Sequence, residues 1–170
     1  MAYQDLDSIH VPSAGQRPPA AWGTQVNANF DEVYTQLLSK LGVWTSYTPT
    51  ITQSGLVGNT ITYARYLKIG RLVVVQTYQS ATGSGSANNK IQVALPFTAA
   101  QSSLVVGSFY IYDASVNTNY LGHAALDTTG TVTGIISGTN NYMGGAGSGF
   151  TAALASGDSV LAFAIYESAS

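Results

Sequence analysis

The residues able to do chemistry in this 170-residue chain are few and far apart. There are two histidines, His10 and His123, and no HxxxH or HxH spacing that would present two imidazoles to one metal ion. Asp113 and Asp127 are the acids nearest His123 in sequence, and a metal or acid–base site would need them to converge from separate loops. Asp113, Asp127 and Asp158 all fall in or beside turn-like segments, where Asp ordinarily bonds to its own local backbone. The chain has no cysteine, which removes disulfides, thiolate metal ligands and thiol nucleophiles together. No serine sits in a G-x-S-x-G elbow. The glycine cluster GGAGSG, residues 144–149, lacks the Lys-Ser/Thr that ends a phosphate loop, and it reads as a mobile tip between strands. The expectation is a protein with no catalytic residues, no cofactor and no metal.

Binding chemistry has better material. The segments "ATGSGSANN", "NTNY" and "GTNNY" combine Asn, Ser and Gly with neighbouring tyrosines, a composition suited to adaptable contacts, carbohydrate included. Asn88, Asn117, Tyr120, Asn140 and Tyr142 are the candidate ligand-loop residues.

The elements that must carry these loops divide the chain in two. Residues 1–19 have no periodicity and contain Pro12, Gly15, Pro18 and Pro19, so they read as an extended leader. Pro18 and Pro19 suit the first turn of a helix over about 19–41. Along it, Trp22, Val26, Phe30, Val33, Leu37 and Leu41 recur at spacings of 4, 4, 3, 4 and 4, and Gly42 offers a left-handed cap. That spacing makes a narrow stripe closer to a coiled-coil seam than to a broad core face. The stripe can pack on the chain's own β-domain, on copies of itself, or on a partner. It is the candidate oligomer or docking interface, and 1–42 the candidate attachment segment.

From residue 43 the pattern has a period of two. In "NTITYARYL", Ile61, Tyr63 and Leu67 alternate with Thr60, Thr62, Ala64 and Tyr66; "KIG" then turns into "RLVVVQTYQS", predicting a hairpin over 60–80. "ATGSGSANN" reads as a flexible loop, and "KIQVALP" as a short strand stopped by Pro96. Further strands are expected at "SLVVGSFYIYD", "NYLGHAAL", "TVTGIIS" and "SVLAFAIYES". Eight or nine strands with turn signals between them predict a mainly β fold over 43–170, an antiparallel sandwich or jelly-roll knob behind one N-terminal α-helix.

Composition narrows the partners. Only 8% of residues are charged, against about a quarter in an ordinary soluble domain. All six basic residues lie in the first 90 positions and are scattered, so no nucleic-acid footprint is expected. No stretch has signal-peptide architecture or approaches a membrane-spanning apolar run, so neither export through such a signal nor a membrane partner is expected. So neutral a surface suits a protein packed against neighbours in an assembly.

The order of motifs adds a resemblance. "VPSAGQRPPAAWGTQVNANFDEVY", "WTSYTPTIT", "GNTITYARYLKIGRLVVVQ", "IQVALPFTA" and "ASGDSVLAFAIYE" together resemble small virion structural proteins of tailed bacteriophages. The residues carrying the likeness are Trp44, Tyr47, Pro49, Ala64, Arg65, Tyr66, Ile69, Gly70, Leu95, Pro96, Gly157 and Asp158. It implies a non-enzymatic virion component, a decoration or short fibre-like protein of the capsid or tail. It further implies a homotrimer, anchored to other virion proteins through residues 1–42 and projecting a β-knob. The alternative is a tail-associated adhesin whose loops recognise a host surface glycan.

Overall fold

A computed structural model describes residues 22–135, 142–146 and 150–170, without the side chains of 22–25 and 37–41. The leader expected over 1–19 and the candidate ligand residue Asn140 lie outside the described residues. The chain divides into two compact units between Ser39 and Lys40.

The single helix, α1, runs Trp22–Leu41. Gly42 follows it at φ +78°, the left-handed cap anticipated from the sequence. Glycine is required there twice over, because a Cβ would also lie 2.7 Å from the Lys68 carbonyl oxygen.

The second unit is mainly β, as the sequence indicates. Its ten strands are β1 (Thr45–Ser46), β2 (Ile51–Gln53), β3 (Leu56–Val57), β4 (Asn59–Ile69), β5 (Leu72–Ala81), β6 (Ile91–Ala94), β7 (Val105–Asp113), β8 (Thr118–Thr128), β9 (Thr131–Ile135) and β10 (Ser159–Glu167). All pair antiparallel in one curled sheet of order β1-β4-β5-β10-β7-β8-β9-β6-β2-β3. The two layers expected of a sandwich therefore come from one sheet folded over its own core. β3 lies at one end of that order and β4 next to the other, yet only Gly58 separates them in sequence. Gly58 is the corner: its carbonyl accepts the amides of Thr82 (2.7 Å) and Gly83 (3.2 Å).

The strands form where side chains alternate in burial. In β5, Val73, Val75, Thr77, Gln79 and Ala81 point inward while the even-numbered residues point out. The hairpin to β4 closes through Gly70–Arg71, with positive φ at Gly70, the position where a two-residue II′ turn needs it. β4 departs from the simple alternation. A bulge between Ile61 and Tyr63 adds one residue, so the two sides exchange: Tyr63 is 44% exposed and Ala64 is buried.

Two apolar clusters fill the fold. One joins Ile51, Val57, Ile91, Phe109, Ile111, Met143, Phe150, Leu154 and Val160, drawing on β2, β3 and β6 from one end of the sheet order and on β7 and β10 from its middle. The other gathers Val73, Val75, Leu126, Ala164 and Tyr166, roofed by Tyr47, Tyr66 and Phe97. Tyr66 meets Phe97 edge-on at 4.9 Å.

Candidate functional site

The three aspartates read from the sequence as turn formers are engaged with backbone and side-chain partners. Asp113 is buried and accepts from the Ser115 amide and hydroxyl, shaping the β7–β8 loop. Asp158, also buried, accepts from the amides of Ala114 and Ala155 at 2.9 and 2.8 Å, fastening that loop to the approach of β10. Asp127 pairs with Lys90 and accepts from Gln92 Nε2, both at 2.6 Å. His123 sits on β8 opposite Ser108 of β7. Among the described residues no group of three or more His, Asp or Glu is placed to hold a metal ion. Among them, too, no helix is long and apolar enough to cross a membrane.

The candidate loop residues do not form one site. Asn88 is exposed, holds a positive φ of 60°, and its amide donates to the Thr151 carbonyl. Asn117, likewise exposed at φ 51°, accepts from the Tyr112 hydroxyl at 3.0 Å. Tyr142 is 40% exposed, with the Lys90 ammonium 5.2 Å from its ring centroid. Tyr120 is a strand residue rather than a loop one: it lies in β8, and its ring packs on Phe150 at 5.1 Å. Two further readings need correction. The described part of the glycine cluster is no mobile tip, since Met143 and Gly144 are buried and hydrogen-bonded to Gly134, Ile91 and Phe150. The 82–89 loop is tied down through Gly85 to Leu154 and Asn88 to Thr151.

The β unit has two distinct ends. Gly42 to Ser46 approach beside Leu67, Lys68 and Tyr66, next to the β4–β5 turn, where the carboxy-terminal Ser168 also donates to Arg71. The 82–89 loop, the β7–β8 loop and the residues leading into β10 gather at the opposite end, around Asp158 and Ala81. On the helix, Phe30 and Val33 of the predicted stripe are 69% and 60% exposed, and Val26 is partly so. Trp22, Leu37 and Leu41 fall within α1, but their side chains lie outside the described residues.

The feature missed in the sequence is the outer face of the sheet. Register sets Tyr63 opposite Tyr78, Tyr78 opposite Leu161, Leu161 opposite Tyr110 and Tyr110 opposite Leu121. These five residues form one straight row across β4, β5, β10, β7 and β8. Tyr63 and Tyr78 meet edge-on at 6.0 Å, and the Tyr110 hydroxyl donates to Asn119. Beside the row run Gln76, Phe163 and Ser108, with Arg65 bonded to Gln76 and lying 4.6 Å over the Trp44 ring. The face is hollowed into a trough of about 580 Å³.

No family model matches the chain, and searches of curated proteins and of solved structures return no similar protein.

Proposed function

We propose that this chain is a non-enzymatic structural component of a bacteriophage virion. On this reading residues 1–42 fasten it to capsid or tail proteins, and the β unit is presented as a knob. The observation that carries the reading is the polarity of the β unit. The chain enters at the end bearing the β4–β5 turn, while the 82–89 and β7–β8 loops lie at the far end. A module held at one end and offering loops at the other suits a decoration or short fibre. The exposed stripe at Phe30 and Val33 supplies apolar surface for association with copies or a virion partner, and a trimer is the assembly proposed. The near absence of charge fits a crowded, repeated surface.

The test uses particles of the phage encoding the chain. The protein is expected in purified virions and to be lost from them with Phe30→Asp/Val33→Asp, which puts two charges on the stripe. Virions that lack the wild-type chain, or that retain the variant fully, would overturn this reading.

The adhesin alternative is favoured by one observation: Asn88 and Asn117 are exposed in loops at the far end. Binding of the full chain to host cell-wall polysaccharide, abolished by Asn88→Ala/Asn117→Ala, supports it. A glycan array without a hit removes it.

A further inference from the structure

β10 reads "SVLAFAIYE", apolar at every position from Val160 to Tyr166. Its even positions, Val160, Ala162, Ala164 and Tyr166, are buried in the core. Its odd positions, Leu161, Phe163 and Ile165, carry large apolar side chains on the other side, where Ile165 is 45% exposed. A strand with one face in water alternates apolar with polar, whereas a continuous apolar run belongs to a strand covered on both faces. The neighbouring strands add apolar side chains to the same face at single positions. The outward Tyr78 of β5, Tyr110 of β7 and Leu121 of β8 continue the row through Leu161, and Leu121 is 73% exposed.

We infer that this outer face of β4-β5-β10-β7-β8 is an interface that receives a second copy of the same chain. It is separate from the helix stripe and does not depend on the virion reading. Three observations select the occupant. The first is charge. The row and its two flanking rows contain no Asp, Glu or Lys; their basic side chains are Arg65, already bonded to Gln76 at 2.9 Å and lying over Trp44, and His123 at the β8 end of the same flanking row. Two such faces meet without repulsion, whereas a basic or acidic partner would find no counter-charge. The second is composition: tyrosine, phenylalanine and leucine in place of lysine and glutamate is the make-up of interface cores. The third is size. Five strands at about 4.8 Å spacing, with β5 and β10 rising about 3.3 Å per residue, outline a face of roughly 700 Å². Stable interfaces cover about 800 Å² per partner, so one copy can cover the face.

The absence of cysteine makes the test direct, since single-cysteine variants of the full chain report local access without further changes. Leu121→Cys and Tyr63→Cys place reporters at opposite ends of the row, and Val116→Cys, on the 60% exposed β7–β8 loop position, is the control. At high protein concentration both row cysteines should react with a maleimide roughly tenfold more slowly than the control, and the rates should converge on dilution. In the full chain, Leu161→Arg should lower the mass seen by light scattering while leaving the β circular dichroism unchanged. Row cysteines that label as fast as Val116→Cys at every concentration would overturn the proposal. So would a monomeric chain whose row cysteines are protected only on adding a polysaccharide, which would mark a carbohydrate face. Loss of the chain from virions through the helix variant leaves these labelling rates untouched, so the two readings fail separately.

Discussion

Gln53 Oε1 accepts a hydrogen bond from the backbone amide of Leu154 at 2.8 Å, joining positions 101 residues apart. The same side chain donates through Nε2 to the carbonyls of Asn89 at 3.2 Å and Ala152 at 2.9 Å. Gln53 is buried, and its one amide group satisfies three backbone atoms: the amide of fully buried Leu154 and the carbonyls of half-buried Asn89 and exposed Ala152. It thereby fixes the 82–89 loop and the approach to β10 against β2. Gly85 passes so close that a Cβ there would lie 2.0 Å from Gln53 Oε1.

Gln53→Ala is therefore expected to cost about 2 kcal/mol, because it strands the buried Leu154 donor and frees the Asn89 and Ala152 carbonyls from their anchor. Gln53→Glu should be no milder, since an ionised carboxylate can accept from Leu154 but donates nothing to Asn89 or Ala152. Urea midpoints at constant slope measure the loss. Trypsin cleavage after Lys90 should accelerate in step, because the loop preceding it loses its tether.

A contrast between two glycines tests where the sheet is tight. Gly107 lies at the bulge in β7, and a Cβ there would fall 2.0 Å from the Phe163 carbonyl oxygen and 3.1 Å from the Ala164 Cα. Those are backbone atoms of the central strand, which cannot swing aside. Gly107→Ala should cost about 3 kcal/mol, a fall in Tm of roughly 9 °C for a chain of this size. A Cβ at Gly55 would meet nothing within 4 Å, and Gly55 has no positive φ. Gly55→Ala should therefore leave Tm unchanged or raise it by about 1–2 °C. Equal Tm shifts for the pair would show that β7 and β10 are less closely apposed than these distances require.

Much of this fold is readable from period-two patterning, and what is not has identifiable causes. The β4–β5 hairpin follows from alternation plus a glycine at the turn, and both are local signals. Thr62 defeats the same argument: an extra residue at a bulge leaves the composition unchanged but exchanges the sides, which is why Tyr63 faces out and Ala64 in. Met143 is hidden by its neighbours, since Gly144 and Gly145 suggest a loop tip, whereas the methionine is held in the core by partners distant in sequence. The outer row needs strand order as well as strand identity. β10 carries a signal in its unbroken apolar run, but only the register shows that Tyr78, Leu161 and Tyr110 stand in line. The helix stripe is legible by spacing alone, and Phe30 and Val33 are exposed along it.

Two tyrosines set how the fold should respond to alkali. Tyr166 donates its hydroxyl to the Phe97 carbonyl at 2.9 Å, and Tyr47 donates to the Ala94 carbonyl at 3.4 Å; Tyr166 belongs to the second apolar cluster and Tyr47 packs against it. Burial pushes the Tyr166 phenol up from 10.0 to about 12. Burial, and then the nearby Tyr166 charge, push Tyr47 up as well. In this window the unfolded chain releases protons that the folded chain retains, so unfolding gains from rising pH. Stability is fully present below about pH 10, falls from there through about pH 12, where Tyr166 ionises in the folded state too, and goes on falling more gently while Tyr47 keeps its proton. Tyr166→Phe removes one of the groups responsible. It should lower stability at neutral pH by about 1 kcal/mol, the worth of its hydrogen bond, and make the alkaline decline shallower than in the wild type. Urea midpoints taken from pH 8 to pH 12 measure both effects; a variant that keeps the full wild-type slope would place the alkaline response on Tyr47 alone.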